Sequence, residues 1–175
     1  MGTSGTGKTT FSRQLAAVLC LPHEEMDRLY WRPDWQSAAE ADFLAAVGEV
    51  VARPHWVLDG NYSRTNAVKW NSVECVVWLD YSFSRTLFQA VRRAWKRSFT
   101  QEELWPGTGN RESLRKSFLS RDSIILWTLK TYRKNRAKNL ALMAKERRGF
   151  AFVRIGSAAE ADKILRDLAG ERSVC

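Results

Sequence analysis

Apolar residues take up the spacing of a helix face early in the chain: Phe11, Leu15, Val18 and Leu19 stand at i, i+4, i+7 and i+8. Leu21 to Met26 is short and poorly alternating, and reads as a weak strand ending at Asp27. Trp31-Arg32-Pro33-Asp34-Trp35-Gln36 is rich in turn residues. Ser37-Ala38-Ala39-Glu40 then has the spacing of a capping box and predicts a helix with Phe43, Val47, Val50 and Val51 on one face, stopped at Arg53-Pro54. Two compact runs of β type follow, Trp56-Val57-Leu58 ending at Asp59-Gly60 and Cys75-Val76-Val77-Trp78-Leu79 ending at Asp80. Both are predicted to be buried on both faces. Phe83, Leu87, Val91 and Ala94 mark a further helix with arginines on its other side. Thr100-Gln101-Glu102-Glu103 predicts a fresh short turn that breaks at Trp105-Pro106-Gly107, before a glycine-rich polar segment reaching about Ser120. Asp122 to Arg148 is helical in pattern, Phe150 to Ile155 is a last strand, and Ser157-Ala158-Ala159-Glu160 caps a final helix with Ala161, Ile164, Leu165 and Leu168 inward.

Strands alternating with helices predict an α/β fold with a parallel sheet, whose ligand groups gather at the carboxyl ends of the strands. Those ends are Asp27, Asp59, Asp80 and Gly156. The chain shows neither an internal repeat nor a linker, so residues 1–175 are expected to form one domain, and an apolar share of 45% is ample for its core.

The first residues carry the sharpest chemistry. Gly2-Thr3-Ser4-Gly5-Thr6-Gly7-Lys8-Thr9 is a complete Walker A phosphate loop, immediately ahead of a predicted helix. Its glycines let the backbone wrap phosphate oxygens and turn successive N–H groups inward at a helix N-terminus. Lys8 is placed to reach the β and γ phosphates, and the Thr9 hydroxyl to ligate Mg²⁺; the nucleotide-binding set is expected to run from Gly2 through Thr10. A phosphate loop normally follows a buried strand, yet only Met1 precedes Gly2. The strand that should present the loop is therefore expected to be missing, and the natural chain to begin several residues upstream.

Charge narrows the choice of partner. The net charge of +9 calls for a polyanion, and its excess lies in the C-terminal half, from Arg92 and Arg93 through Arg111, Arg115 and Arg121 to Arg133, Arg136 and Lys138. Lys and Arg over a triphosphate and its acceptor explain this as well as a nucleic-acid stripe does, and a solvated helix face explains many of these residues singly. Cys20, Cys75 and Cys175 lack metal-site spacing, and two of them lie in apolar runs where a free buried thiol is the ordinary state. The two histidines are too few and too isolated to argue for a metal centre. No run of eighteen apolar residues and no apolar signal segment occur, which predicts a cytoplasmic protein without a membrane partner.

Among the acidic strand ends, Asp59 and Asp80 both fit a second anchor for Mg²⁺. Asp80 fits a helix cap ahead of Tyr81-Ser82 equally well, while Asp59 opens the polar loop Gly60-Asn61-Tyr62-Ser63, although an Asp-Gly turn is its plainer role. Asp27 could hold an acceptor group, accept its proton, or cap the next turn. Tyr30, Trp31 and Trp35 could stack on a base or simply build a lid or core.

Three blocks, Gly2 to Thr9, Asp27-Arg28-Leu29-Tyr30-Trp31-Arg32-Pro33-Asp34-Trp35 and Trp56-Val57-Leu58-Asp59-Gly60-Asn61-Tyr62-Ser63, resemble the adenylate-kinase-like small-molecule kinases, and within them the bacterial topology modulation protein group. The resemblance spans nearly the whole chain and is strongest before residue 65. It implies a three-layer P-loop NTPase fold of sheet order 2-3-1-4-5 in which the absent strand is central. It implies ATP as phosphoryl donor, Mg²⁺ held by Thr9 and by Asp59 in preference to Asp80, and an arginine-bearing lid at about 92–121. Catalytic roles then fall to Lys8, Asp27, Asp59, Arg111, Arg115 and Arg121, and adenine to the loop at Gly156 and Ser157. Asn61-Tyr62 stands where a nucleotide kinase has Phe-Pro-Arg, so the arginine that grips a monophosphate is missing there; Arg64 is a possible substitute. The implied activity is phosphoryl transfer from ATP to a nucleotide, nucleoside or other small molecule, by a protein expected to be monomeric. A nucleic-acid-associated ATPase or regulator and a nucleotide-binding protein without turnover are the competing readings.

Overall fold

The computed structural model describes residues 1–112, 124–144 and 149–171. Its elements are α1 (Lys8–Leu19), β1 (His23–Glu25), α2 (Met26–Tyr30), α3 (Glu40–Val51), β2 (Val57–Asp59), α4 (Asn66–Lys69), β3 (Cys75–Leu79), α5 (Phe83–Thr100), α6 (Ile124–Met143), β4 (Ala151–Ile155) and α7 (Ala158–Glu171), with single 3-10 turns at Pro33–Trp35 and Ser63–Thr65. All strand pairing between named strands is parallel. The pairs form two separate sheets, β1 with β2 (His23 opposite Val57, Glu25 opposite Asp59) and β3 with β4 (Cys75 opposite Ala151, Leu79 opposite Ile155). The single five-strand sheet order implied by the resemblance is thus not what is observed.

Between the two sheets the chain's first residues lie along β3. The Leu79 amide donates to the Met1 carbonyl at 3.0 Å, the Met1 ammonium donates to the Val77 carbonyl at 2.5 Å, and Gly2 forms a parallel bridge with Leu79. Beyond this contact a cavity of about 510 Å³ is bounded by α1, β2 and β3, with Phe11, Leu15, Leu58, Val77 and Leu79 among its walls. Burial of the Met1 ammonium there pushes its pKa down to about 5 despite the opposing charge of Asp59.

Two apolar clusters hold the halves. Phe11, Leu79, Tyr81, Ile155, Ala161 and Leu165 join α1 and α7 to the β3–β4 sheet. Met26, Ala38, Phe43, Val47 and Val51 join α2 to α3, with Leu58 and Tyr62 packed against them. In β3, Val76, Trp78 and Leu79 are buried as expected, whereas Val57 and Leu58 of β2 are only half-buried because β2 borders the cavity.

Several local expectations give way to longer-range contacts. Ser37 does not cap α3; it forms an antiparallel bridge with Trp31, and the helix opens at Glu40 with no side-chain cap. Thr100 does not start a new turn, because α5 runs through it and ends at Gln101 in the left-handed region. Cys75 is exposed, not buried, and Cys20 is disulfide-bonded. The final helix keeps its box: Ser157 Oγ accepts the Glu160 amide at 3.1 Å, and Glu160 Oε2 accepts the Gly156 amide at 2.7 Å. None of the described helices is long and apolar enough to cross a membrane.

Candidate active site

The phosphate loop is a folded turn of its own. Thr6 donates to the Thr3 carbonyl from both its amide (3.2 Å) and its hydroxyl (2.9 Å), and Lys8 Nζ reaches the same oxygen at 3.2 Å. Gly7 caps α1 at φ 82°, a left-handed conformation for which glycine is suited. Gly5 is required twice over: its φ is 92°, and a Cβ there would lie 2.6 Å from the Thr86 carbonyl oxygen and 2.9 Å from Ala90 Cβ. The loop therefore rests directly on α5. On its other side Asn61 clamps it, accepting from the Gly2 amide at 3.4 Å and donating to the Gly2 carbonyl at 2.5 Å.

The two residues expected to share a metal ion are brought together from opposite ends of the site. Thr9, in the first turn of α1, donates from Oγ1 to Oδ2 of Asp59 at 2.5 Å, at the carboxyl end of β2. Asp59 is 7% exposed, and its other oxygen, Oδ1, is buried with no partner among the described residues. An orphaned carboxylate oxygen beside a hydroxyl is a hard-oxygen corner that fits Mg²⁺, which takes one or two protein ligands and completes its shell with water and phosphate oxygens. Lys8 lies beside this corner. Burial pushes its pKa down, Asp59 opposes that shift, Arg93 adds to it, and Asp27 opposes it.

Asp27 falls in the first turn of the short α2 and does not itself end a strand; β1 stops two residues earlier, at Glu25. Its Oδ1 accepts the Tyr62 hydroxyl at 2.6 Å. Burial, then the Asp27 charge and this hydrogen bond, push the Tyr62 pKa upward, so the phenol keeps its proton. Tyr30 packs on Tyr62 with centroids 4.9 Å apart, and the Arg64 guanidinium lies 5.1 Å from the Tyr30 ring.

The tryptophans pack on one another. Trp31 and Trp35 meet edge-on at 5.7 Å, and Trp105 joins both, at 6.4 Å and 5.9 Å. Asn110, 2% exposed, fastens the same contact by accepting the Trp35 amide and donating to the Arg32 carbonyl, each at 2.9 Å. The described part of the expected lid is thus tied to the 31–37 connection. Arg111 is exposed and its backbone bridges Glu103, while Gly107 and Gly109 adopt φ of 84° and 67° in the turn between them. Arg115 and Arg121 lie outside the described residues.

Asp80 serves neither as a helix cap nor as a member of this corner. Ser82 is the N-cap residue of α5, and the Asp80 carboxylate, with 3% of its side chain exposed, pairs with Arg136 at 3.0 Å and Arg154 at 2.6 Å. Arg136 is therefore bound to Asp80. Gly156 and Ser157 stand at the carboxyl end of β4, with their polar groups engaged in the α7 cap. Thr10 is exposed in α1.

Sequence reasoning named Asn61 only within the loop after Asp59 and Arg93 only within the basic segment, and gave Asn110 no role. Arg93 Nη2 donates to Ser4 Oγ at 3.1 Å across 89 positions of sequence. Only its place at i+3 from Ala90, on the α5 face that meets the loop, marks it out locally.

No family model matches the chain, and no curated protein matches it. Among solved structures, the crystal structure of a gluconokinase from Sinorhizobium meliloti 1021 is similar at 20% identity and a TM-score of 0.48, covering 99% of this chain and 93% of that one. The topology modulation group remains a resemblance within three sequence blocks.

Proposed function

We propose that this chain is a phosphate-loop kinase that transfers the terminal phosphoryl group of ATP to a small hydroxyl-bearing acceptor. The observation that carries this reading is the corner made by the phosphate loop, Lys8, Thr9 and Asp59, with one buried carboxylate oxygen unsatisfied among the described residues. The loop amides would cradle the donor phosphates, and Lys8 would follow the β and γ oxygens. Thr9 and Asp59 would hold Mg²⁺, which when bound supplies charge neutralisation between phosphate oxygens. Asp27, held by Tyr62, would orient the acceptor hydroxyl or take its proton. Burial pushes the Lys8 pKa down, and a phosphate beside it would favour its charged form.

The test is to incubate the protein with labelled ATP, Mg²⁺ and a panel of nucleosides, nucleotides and sugars, and to follow the label. A labelled acceptor supports the reading, and Lys8→Ala should abolish its formation while the far-ultraviolet spectrum stays unchanged. Full transfer by Lys8→Ala would sink the mechanism. Hydrolysis stimulated by DNA or RNA, steeply salt-dependent and without a labelled acceptor, would replace it with the nucleic-acid-associated ATPase.

A further inference from the structure

The molecule's positive charge and its exposed apolar side chains lie on the same two helices. α5 and α6, which pack against each other, hold ten of the chain's 28 Lys and Arg and none of its 19 Asp and Glu, so the rest of the chain carries nearly balanced charge. Residues 113–123, which precede α6 in sequence, hold three cations and one acid and add to the excess. Eight of the nine large apolar side chains that are exposed among the described residues also stand on α5 and α6. On α5 the two kinds of side chain form parallel rows. Arg85, Arg92 and Lys96 stand at i, i+7 and i+11, and Phe88, Trp95 and Phe99 repeat that spacing three residues on, which is about 60° around the helix. All six are exposed, Phe88 at 66% and Phe99 at 61%. Together the rows run about 21 Å along the helix. The phosphate loop meets α5 on the opposite side, at Thr86 and Ala90.

We propose that this outer face of α5 docks the protein on an anionic lipid surface, with the apolar row entering the headgroup layer and the basic row meeting its negative charge. The inference stands apart from the kinase reading. Large apolar side chains in a row beside a row of cations are the arrangement of helices that lie in a membrane interface, where burial of the rings and attraction of Lys and Arg to anionic lipid act together. None of the described helices is long and apolar enough to cross a membrane, but lying in its surface requires only one helix face. A second copy of the chain is a poor occupant, because the same face on both partners would set cations against cations. Single-stranded nucleic acid fits less well than lipid. Trp95 and Phe99 pack on each other with centroids 4.9 Å apart, which makes one apolar ridge rather than separate platforms for bases, and the exposed Leu129 and Leu140 of α6 offer a base no ring to stack on.

Flotation of the full chain with vesicles tests this, using phosphatidylcholine alone and phosphatidylcholine with about one-third phosphatidylserine. The protein should float with the mixed vesicles and stay behind with phosphatidylcholine alone, and rising salt should weaken its binding to the mixed vesicles, a measurement that needs no variant. Phe88→Ser combined with Phe99→Ser should weaken that binding at least about tenfold, and Arg92→Gln combined with Lys96→Gln about 10- to 30-fold, with urea midpoints near that of the unsubstituted protein. Failure to float with the mixed vesicles, or equal flotation with both kinds, overturns the proposal. So does a phenylalanine variant that binds as well as the unsubstituted protein, since the cations alone would then suffice. Tighter binding of a labelled single-stranded oligonucleotide, lost in the phenylalanine variant, would assign the face to nucleic acid, and a dimer that this variant dissolves would assign it to a second copy; either result overturns the proposal as well.

Discussion

Asp59 and Asp80 each follow a short apolar strand, yet their surroundings give them opposite tasks. Asp80 spends both oxygens on Arg136 and Arg154, while Asp59 keeps one buried oxygen unmatched among the described residues, beside Thr9. A buried acceptor left unpaired is costly unless a ligand completes it. Asp59→Asn should therefore remove the Mg²⁺-dependent part of ATP affinity, measured as the difference between titrations with Mg²⁺ and with a chelator. Asp80→Asn should leave that difference intact but lower unfolding free energy by roughly 1–3 kcal/mol in urea, because two arginines lose their carboxylate. If the two variants exchanged these phenotypes, the metal corner would have been assigned to the wrong aspartate. Asn61 shows the same dependence on surroundings: nothing beside an Asp-Gly pair announces an amide that clamps Gly2 from 59 positions away.

At the scale of elements, the loop is held between α5 and the strand ends, and its shape depends on contact as much as on its own glycines. Gly5 is the position where these meet. Gly5→Ala introduces a Cβ against α5 backbone at a φ of 92°, so it should lower stability by roughly 1–3 kcal/mol and weaken ATP binding together, read from urea melts and titration of the same preparation. A Gly7→Ala substitution shares the strained φ but meets no atom of the described residues within 4 Å, so its stability loss should be the smaller of the two. The segment expected to close over the nucleotide is likewise an element made by its contacts, since Trp105 and Asn110 join it to Trp31, Trp35 and Arg32. Ser37 could not cap α3 for a related reason: its bridge to Trp31 draws the backbone elsewhere.

Over the whole molecule, several of the cations behind a net charge of +9 are paired, Arg97 with Glu112 and Arg136 and Arg154 with Asp80. Lys69 is different. It is 7% exposed on the wall of the cavity, and burial, with Lys138 adding repulsion, pushes its pKa from 10.5 down to about 8. Between those values the unfolded chain binds more protons than the folded one, so unfolding free energy rises with pH through this window and is lost as pH falls through 8. Urea melts at pH 7.5 and 9.5 should show this rise, and Lys69→Met should flatten it relative to the unsubstituted protein. An identical pH dependence in both would mean that Lys69 is solvated in the folded state.

The sequence by itself determined what is settled within a few residues of backbone. The glycine spacing specified the phosphate loop and the start of α1, apolar runs marked β2, β3 and β4, and Ser157 with Glu160 capped α7, because turn chemistry, helix period and capping all act locally. Only the tertiary structure decided that Asp80 pairs with Arg136 and Arg154, that Asn61 and Arg93 reach the loop, that Trp105 and Asn110 anchor the basic segment, and that the strands form two pairs beside a cavity. These outcomes rest on contacts between residues tens of positions apart, where one alternative excludes another through burial and hydrogen-bond satisfaction, and no local pattern encodes that competition.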